Sequence, residues 1–499
     1  MLFNSLQFLI FFPIVLLVYY ILPSKIRYIW LLVASYYFYM CWNAKYALLL
    51  LFSTIVTYLS GLLMELIKNK DEITDEKRIK LKKWCVAGSF ILNLLVLFFF
   101  KYFEFAIENL NRVFNMAGIE LNMPVFDVIL PVGISFYTFQ ALSYTMDVYR
   151  NDIYAEKNFL RYALFVSFFP QLVAGPIERS KNLLKQLAVP AKPDWDMVRK
   201  GLLLMLWGFF LKIVLADRVA IFVDTIYGDY EVYGGYYLIV ATLLFAVQIY
   251  CDFYGYSTIA MGASMILGIQ LMENFNSPYL SKSVAEFWRR WHISLSSWFR
   301  DYLYIPLGGN RKGKFRKFFN LMIVFLTSGL WHGAKWSFVI WGGLNGLYQI
   351  IGSILKPIRD KLVRILKLNR ETFSHKLFKV ISTFVMVDFT WIFFRAESFK
   401  DAIKIIKSMF TVYNPWILFD NSIYECGLDS KNFMVMLIAI LILIIADIFK
   451  YKGIKISEVI LKQEYWFRWL VFAVGANLIL LFGIWGSGYD AASFIYFQF

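Results

Sequence analysis

Residues 46–67 read YALLLLFSTIVTYLSGLLMELI, a stretch in which Glu65 is the single charged side chain. An α-helix needs about 20 predominantly apolar residues to cross about 30 Å of hydrocarbon, and this stretch has that length. Further long runs with almost no charge occur at residues 84–100, 201–216, 236–250, 336–355, 433–449 and 469–486. The short alternating segments of a membrane β-barrel are absent from the sequence. The sequence therefore predicts an all-α polytopic integral membrane protein.

The composition supports the same fold class. Hydrophobic residues make up 60% of the 499 residues, and this is more apolar surface than one or two soluble cores can hide. The four cysteines, Cys41, Cys85, Cys251 and Cys426, are scattered without a C-x-x-C motif. Their spacing argues against a zinc site, an iron–sulfur cluster or a disulfide framework, and no metal is expected. The apolar N-terminal segment lacks the basic start and cleavage site of a secretory signal, so it is expected to be a retained helix.

The distribution of charge predicts how the segments are oriented. A net charge of +16 would suggest nucleic acid as the partner of a soluble protein. Here the basic residues cluster between apolar segments, no motif of nucleic-acid recognition accompanies them, and no nucleic-acid partner is expected. The positive-inside rule then predicts about twelve crossings with both termini outside. The predicted cytoplasmic loops are 68–83, 311–317, 356–376 and 450–462, and the predicted external loops are 102–126 and 396–432.

One of the three histidines, His332, is predicted to lie within the membrane. Because the basic segments on either side of it share one face, the chain between them must enter the membrane and return. The limbs of this hairpin are residues 318–330 and 336–355, with His332 at the tip. An ionisable residue at that depth is a functional candidate by default; the alternative is a structural histidine satisfied by a backbone carbonyl. A neutral imidazole in an apolar pocket is a competent general base, since burial disfavours the charged form.

A second histidine, His292, lies in residues 281–310, a segment too charged to span the membrane and too aromatic to be a solvated loop. Its apolar residues recur at spacings of three and four, which is typical of a helix; they are Val284, Phe287, Trp291, Leu295, Trp298 and Tyr302. We therefore predict an amphipathic helix at the membrane interface, in which Arg289, His292 and Ser296 share one face. On spacing alone, His292 is equally well interpreted as an interfacial polar residue. The third histidine, His375, is interpreted as a solvated loop residue.

Two carboxylates interrupt apolar stretches, Asp252 in QIYCDFYGYS and Asp388 in VMVDFTWIFF. Each is either a pocket residue or half of a buried ion pair, and the second arrangement is the more common. Lys212, Asp217 and Arg218, near a helix end, are expected to pair or to snorkel. The sequence has no G-x-S-x-G, Walker A, dinucleotide-binding glycine or H-E-x-x-H motif, which argues against a serine hydrolase, an ATPase and a zinc peptidase. The mechanism that remains is one in which a histidine activates a hydroxyl for direct attack on a thioester.

Several stretches together resemble a known family. They are PVGISFYTFQALSYTMDVYR (131–150), FPQLVAGPIER (169–179), MENFNSPY (272–279), FWRRWHISLSSWFRDYLYIPLGGN (287–310), SGLWHGAKWSFVIWGGLNG (328–346), WIFFRA (391–396) and FIYFQF (494–499). Nearly from end to end, the chain resembles the membrane-bound O-acyltransferase (MBOAT) family, in its AlgI-like branch of bacterial polysaccharide O-acetyltransferases. It resembles more distantly the DltB-like proteins of teichoic acid D-alanylation, which share the WHISLS stretch.

The resemblance implies a fold and two catalytic residues. The family fold is a ring of about 11–12 transmembrane helices, with re-entrant and interfacial helices, around a central tunnel. It implies a single domain over residues 1–499, with a catalytic core at 125–355 and peripheral helices at 1–124 and 378–499. His332 matches the catalytic histidine of the W-H-G motif. His292 matches the second active-site position, which is asparagine in many eukaryotic relatives, and this implies a binding or orienting role for it.

The resemblance also implies substrates and partners. Acetyl-CoA from the cytoplasm is the expected acyl donor, and no cofactor is expected to be permanently bound. The expected acceptor is an extracytoplasmic polysaccharide. The acyl group is expected to reach it directly or through an extracytoplasmic acyltransferase or acyl-relay partner protein. The expected location of the chain is the cytoplasmic membrane of a bacterium. Donor or acceptor binding is predicted for Arg289, Arg290, Ser296, Trp331, Asp252 and Asn274. Arg311, Lys312 and Lys314 could also meet donor phosphates, although positive-inside topology is the simpler explanation for them.

The sequence departs from the branch pattern at DFYGYST (252–258), where relatives often have DFSGYSD, so no role is assigned to Tyr254 or Thr258. Three alternatives stay open: D-alanyl transfer to teichoic acid, a non-enzymatic transporter, and a scaffold of a polysaccharide-export complex. A transporter is expected to show internal repeats, and none is visible in the sequence. A scaffold predicts that His292 and His332 are dispensable. The composition is rich in lysine, isoleucine and asparagine, which suggests an AT-rich genome, so alginate is not the first choice of acceptor.

Overall fold

The computed structural model describes residues 1–119, 130–173, 175–189, 192–484 and 494–495. Every regular element within these ranges is a helix, and no β-strand occurs in them. The predicted all-α fold class is therefore confirmed. Some sequence predictions fall partly outside the described residues. They are the catalytic core, which is predicted to begin at residue 125, the external loop 102–126, the apolar run 469–486, and the FPQLVAGPIER and FIYFQF stretches, of which the second is described only at Phe494 and Ile495.

Contacts divide the chain into two compact units, residues 1–202 with 260–272 and residues 203–259 with 273–499. The helices that begin in the first unit are α1 (Leu6–Ile21), α2 (Arg27–Met40), α3 (Ala47–Lys68), α4 (Asp75–Leu97), α5 (Phe103–Met116), α6 (Ile134–Tyr149), α7 (Phe159–Ser167), α8 (Phe169–Leu172), α9 (Ser180–Ala188) and α10 (Trp195–Phe209). Short 3₁₀ helices at Ser24–Ile26 and Ala44–Tyr46 precede α2 and α3, and a π-helical segment at Phe98–Tyr102 joins α4 to α5.

Buried polar bonds and close approaches join the helices of the first unit. The hydroxyl of Tyr162 on α7 donates to Oγ1 of Thr57 on α3 over 2.7 Å. Gly61 on α3 allows Tyr144 of α6 to approach, because a Cβ on this glycine would lie only 2.7 Å from the Tyr144 hydroxyl oxygen. Helices in lipid associate through such hydrogen bonds and small residues, since lipid tails are as apolar as the side chains they would replace.

The second unit contains the remaining helices. They are α11 (Asp217–Gly228), α12 (Tyr236–Ile266, whose last turns belong to the first unit), α13 (Val284–Arg290), α14 (Ile293–Phe299), α15 (Gly313–His332), α16 (Trp336–Ile354), α17 (Lys356–Ile365), α18 (Phe373–Arg395), α19 (Phe399–Thr411), α20 (Ser430–Tyr451), α21 (Ile456–Leu461) and α22 (Tyr465–Phe482). Segments with π-helical hydrogen bonding follow α10, at Phe210–Ala216, and α14, at Arg300–Tyr304. Short 3₁₀ helices lie at Pro278–Leu280, Pro415–Leu418 and Ser422–Glu425.

Six helical segments in the described part of the chain are long and apolar enough to cross a membrane: Ala44–Lys68, Asp75–Met116, Tyr236–Ile266, Phe373–Arg395, Ser430–Tyr451 and Tyr465–Phe482. A seventh is obtained if α16 and α17, which are bent by 50° at their junction, form one span. The prediction of about twelve crossings also counts shorter helices, such as α1 with 16 residues and α6 with 16. The larger number therefore stays a prediction.

The surfaces of the outermost apolar helices agree with a membrane location. Only 6% of the apolar window of α22 and 22% of that of α20 are buried inside the protein. Large apolar side chains consequently cover their outer faces, with Leu481 76% exposed. Soluble proteins rarely expose apolar patches of this extent, whereas hydrocarbon covers them without cost. The chain is a multi-pass membrane protein.

Candidate active site

Helices α15 and α16 form the predicted hairpin. His332 is the last residue of α15, and α16 begins at Trp336. The position of His332 at the tip of the hairpin is therefore confirmed. The outward limb is longer than the predicted 318–330, because the basic stretch after Gly313 is already helical.

The two limbs of the hairpin meet backbone to backbone at glycines. A Cβ on Gly342 of α16 would clash with the carbonyl oxygen of Phe325 on α15, and a Cβ on Gly329 of α15 would clash with the carbonyl oxygen of Phe338. Both separations would fall below 3.0 Å, a distance that real Cβ atoms essentially never show. The absence of side chains thus sets the spacing between the limbs within two turns of His332.

His332 is buried among aromatic rings, with 5% of its surface exposed. Its ring centroid lies 4.9 Å from that of Trp331, 5.0 Å from that of Trp341 and 5.3 Å from that of Phe394, and all three pairs are close to edge-to-face. These neighbours come from α15, α16 and α18. Two indoles and one phenyl ring therefore shield the imidazole from water.

A buried amide holds the aromatic walls in place. Asn345 of α16 accepts a hydrogen bond from Nε1 of Trp288 over 3.1 Å, and donates to the carbonyl oxygen of Trp341 over 2.9 Å and to Oγ1 of Thr390 over 3.3 Å. One side chain thereby ties α13, α16 and α18 together. Sequence reasoning missed Asn345, although its presence in the apolar run WSFVIWGGLNGLYQ is a signal, because an amide at such a position needs partners.

His292 lies at a helix break, and the predicted continuous amphipathic helix is wrong. The helices α13 and α14 end and begin on either side of it, and His292 itself adopts the left-handed conformation, with φ of 44° and ψ of 55°. Arg289 in α13 and Ser296 in α14 therefore do not share a continuous helical face with His292, as their spacing predicts.

Competing hydrogen bonds from residues 274–276 explain the break. The amides of Ile293 and Ser294 donate to the backbone oxygen and to Oδ1 of Asn274, over 3.0 and 3.2 Å. The amide of Asn276 donates to the carbonyl oxygen of Arg290 over 3.0 Å. These bonds use backbone groups that a continuous helix would need. Asn274 therefore positions the backbone that carries His292, and its predicted contact with a substrate stays a prediction.

Both histidine rings contact the indole of Trp331. The centroid of the His292 ring lies 5.9 Å from that of Trp331, which in turn lies 4.9 Å from that of His332. His292 is 1% exposed, and its ring packs edge-on against Phe253 at 4.6 Å. The structure thus brings together three of the predicted site residues. An imidazole can act as a proton acceptor or as a hydrogen-bond donor, so this aromatic wall carries two groups capable of either role.

Asp252 belongs to a buried ion cluster, the second of its two predicted arrangements. Nζ of Lys212 lies 2.6 Å from Oδ1 of Asp252 and 2.8 Å from Oδ1 of Asp217, and each of the three side chains is 3% exposed. Asp252 also accepts a hydrogen bond from the amide of Ile495 over 2.7 Å. The predicted pairing of Lys212 with Asp217 is confirmed. The contact between Lys212 and Asp252 was not predicted, because these two residues are far apart in the sequence and only the fold brings them together.

The remaining predicted residues occupy more exposed positions. Arg289 lies on the surface of α13. Nε of Arg290 lies 3.0 Å from Oε1 of Glu286, so this guanidinium already has an acidic partner. Oγ of Ser296 donates to a backbone carbonyl over 3.3 Å. Asp388 is half-buried, and the described residues offer it no ion-pair partner, so its predicted ion pair is not found there.

Comparison with known sequences finds a family that matches the chain. The profile of the membrane-bound O-acyltransferase family matches residues 154–396, a range that includes both buried histidines.

Individual relatives match over most of the chain. A protein of Azotobacter vinelandii named as a probable alginate O-acetylase, AlgI, is 36% identical over 450 residues, covering 90% of this chain and 85% of the relative. The peptidoglycan O-acetyltransferase of Helicobacter pylori is 33% identical over 441 residues, covering 82% of this chain and 80% of the relative. The teichoic acid D-alanyltransferase of Bacillus subtilis is 28% identical over 333 residues, covering 63% of this chain and 78% of the relative.

Proposed function

The chain belongs to the membrane-bound O-acyltransferase family, and from this premise we propose that it transfers acetyl groups to hydroxyls of an extracytoplasmic polysaccharide. It is an acyltransferase, and the names of two relatives, a probable alginate O-acetylase and a peptidoglycan O-acetyltransferase, support acetyl as the acyl group and a glycan as the acceptor. The observation that carries the proposal is the buried His332 at the end of α15, which contacts the same indole as the buried His292.

In the proposed reaction, His332 acts as the general base. A ring nitrogen of His332 takes the proton of the acceptor hydroxyl while the hydroxyl oxygen attacks the thioester carbonyl carbon. The carbon–sulfur bond of the resulting tetrahedral intermediate then breaks, and the departing thiolate takes the proton back from the imidazolium. The products are an acetyl ester and a free thiol, and the enzyme returns to its starting state without a covalent intermediate on its own side chains. General base catalysis of this kind contributes about 10²- to 10⁴-fold to a rate.

His292 is proposed to donate a hydrogen bond to the oxyanion or to the acceptor. Its ring is buried, and Asn274 binds the amides of the two residues that follow it, so a donor on it would be oriented before the substrate arrives. A well-placed donor in a water-excluded site stabilises the developing charge by about 3–4 kcal/mol. This contribution resides in the transition state, so it should appear in kcat more than in KM.

The proposed donor is acetyl-CoA, arriving from the cytoplasm. The cations that support this are the exposed Arg289 on α13, the exposed Arg311 and Lys312 before α15, and the exposed Lys314 in the first turn of α15. Guanidinium and ammonium groups bind phosphates well. A tunnel through the family fold would let the cytoplasmic thioester and the external alcohol meet at His332. The proposed location is the cytoplasmic membrane of a bacterium. An extracytoplasmic partner protein is proposed to relay the acetyl group to the polysaccharide.

The test is acyl analysis of polymers from cells that lack the gene and carry either the wild-type protein or a variant. We expect ester-linked acetate on a secreted or wall polymer in the wild type. His332→Gln should reduce it by about 10²- to 10⁴-fold and His292→Gln by less. His375→Gln is the matched control and should leave it unchanged. The interpretation of His375 as a loop residue is wrong, because it lies in the first turn of α18.

Two outcomes would contradict the proposal. Full acetylation by a normally expressed His332→Gln protein would exclude His332 as the base. Ester-linked D-alanine in place of acetate would favour the second candidate, D-alanyl transfer to teichoic acid, which the similarity to the Bacillus subtilis enzyme supports.

A further inference from the structure

The first unit contains a cavity of about 280 Å³ that is distant in sequence from both histidines. The start of α2, the start of α7 and the end of α9 line it. Three cations lie in its wall, Lys25, Arg27 and Arg161, and the wall contains no carboxylate. A wall of this charge favours an anionic ligand. The proposed acyl transfer does not use this cavity.

Two of the cations are held in place by the protein. Arg27 donates from Nε to the carbonyl oxygen of Leu22 over 3.0 Å, and its guanidinium carbon lies 5.2 Å from the ring centroid of Tyr19. Nη1 of Arg161 lies 3.3 Å from Oε1 of Glu156, and its guanidinium carbon lies 5.6 Å from the ring centroid of Tyr28. One nearby carboxylate thus neutralises part of the charge of Arg161.

Asp194, whose Oδ1 accepts from the amides of Asp196 and Met197 at the start of α10, offsets a further part of the positive charge, so the three cations face two carboxylates. The exposed Lys25 has no carboxylate partner within the described residues. The cavity therefore retains an excess of positive charge.

The surroundings of the cavity place it at the edge of the bilayer. Ile21, at the end of α1, is 73% exposed, and Val189, in the cavity wall itself, is 68% exposed. Tyr19 and Tyr28 in the same wall are of the type that concentrates where hydrocarbon meets headgroups. If α1, α2 and α3 cross the membrane in succession, the connection after α1 lies on the same side of the membrane as the basic loop after α3. The positive-inside rule assigns that side to the cytoplasm.

We propose that this cavity binds the phosphate group of an anionic phospholipid from the cytoplasmic leaflet. A phosphate bears the charge and the acceptor oxygens that a lysine and two guanidinium groups complement. Basic pockets between transmembrane helices on this side are suited to phospholipid headgroups, and each cation near the surface contributes about 1 kcal/mol, or about fivefold in affinity. The acyl chains would lie against the exposed apolar residues beside the opening, which a soluble phosphate could not use.

The experiment measures lipid binding to the full-length protein, purified in a neutral detergent and stripped of lipid. Phosphatidylglycerol and phosphatidylcholine are added in separate titrations and followed by native mass spectrometry. We expect the wild type to retain phosphatidylglycerol and not phosphatidylcholine. Lys25→Gln should weaken retention of phosphatidylglycerol about fivefold, and Lys25→Glu should weaken it further.

The chain supplies a close control for these variants. Lys25 and Lys45 are each the middle residue of a three-residue 3₁₀ helix, both side chains are exposed, and the two helices flank α2 at its opposite ends. Lys45→Glu should therefore leave the affinity for phosphatidylglycerol unchanged. Because the side chain of Lys25 is exposed, its variants should fold like the wild type, and the thermal midpoint of each purified variant checks this directly.

Competition distinguishes the source of the phosphate. Failure of inorganic phosphate and of coenzyme A to displace phosphatidylglycerol supports the lipid site. If either competes and itself binds with the same dependence on Lys25, the cavity holds a soluble phosphate and the lipid proposal is overturned. Equal retention of phosphatidylglycerol by the wild type and Lys25→Glu, or of both lipids by the wild type, also overturns it. Since none of these readouts involves acyl transfer, they are independent of the proposed catalytic function.

Discussion

Replacing Gly342 by alanine tests whether the glycine contact in the hairpin fixes the position of His332. The added methyl group would lie less than 3.0 Å from the carbonyl oxygen of Phe325, whereas ordinary van der Waals contact begins at 3.4 Å. The obstacle is backbone, which cannot rotate away as a side chain can. The two limbs must therefore move apart by on the order of 1 Å to restore normal contact distances.

The expected loss follows from that displacement. A shift of about 1 Å in a catalytic group can cost about 100-fold in rate, and His332 lies within two turns of Phe325 on α15. Overpacking of a close contact also destabilises a protein by about 1–3 kcal/mol. We therefore expect Gly342→Ala to lower kcat for acetyl transfer by about 10- to 100-fold, with a lower thermal midpoint.

Gly352 on the same helix provides the matched control. A Cβ built there meets nothing within 4 Å, so Gly352→Ala should leave kcat unchanged. It should also stabilise the protein by about 0.5–1 kcal/mol, because alanine favours a helix more than glycine does. The assay is transfer of labelled acetate by purified, reconstituted protein, together with thermal unfolding in the same detergent. Wild-type kcat in Gly342→Ala would refute the claim that this contact positions His332.

Two further substitutions test buried polar groups. Lys212→Met should destabilise the protein by about 3–5 kcal/mol, because two buried carboxylates lose their counter-ion. Adding Asp217→Asn and Asp252→Asn should restore much of the thermal midpoint. An unchanged midpoint in Lys212→Met alone would contradict the ion cluster. Asn345→Leu should lower the free energy of unfolding by about 1–3 kcal/mol, because the indole N–H of Trp288 loses its acceptor. Asn345→Gln should have a higher unfolding midpoint than Asn345→Leu. Equal unfolding midpoints for the wild type and Asn345→Leu would contradict the network.

The parts of the fold that follow from local sequence were predictable. An apolar run long enough to cross hydrocarbon must be helical there, because its backbone groups have no other partners. Charge asymmetry between loops then sufficed to predict the hairpin that carries His332. Both inferences depend on residues close together in the sequence.

The parts that depend on distant contacts were not predictable in this way. The apolar stripe of residues 284–302 is compatible with one helix, and only the hydrogen bonds that Asn274 accepts show why the chain breaks at His292. The pairing of Lys212 with Asp252 likewise requires that two segments far apart in the sequence pack together. Periodicity reports which face of an element is apolar, but it does not report which distant group competes for its backbone.

The left-handed backbone at His292 restricts which amino acids can occupy that position. Side chains that branch at Cβ are strongly disfavoured at positive φ, whereas histidine, asparagine and aspartate are enriched there. The asparagine expected in many eukaryotic relatives meets the same backbone requirement and can still donate a hydrogen bond, although it cannot act as a base at neutral pH. Exchange between histidine and asparagine at this position therefore preserves the shape of the loop and the donor while removing the capacity to take up a proton.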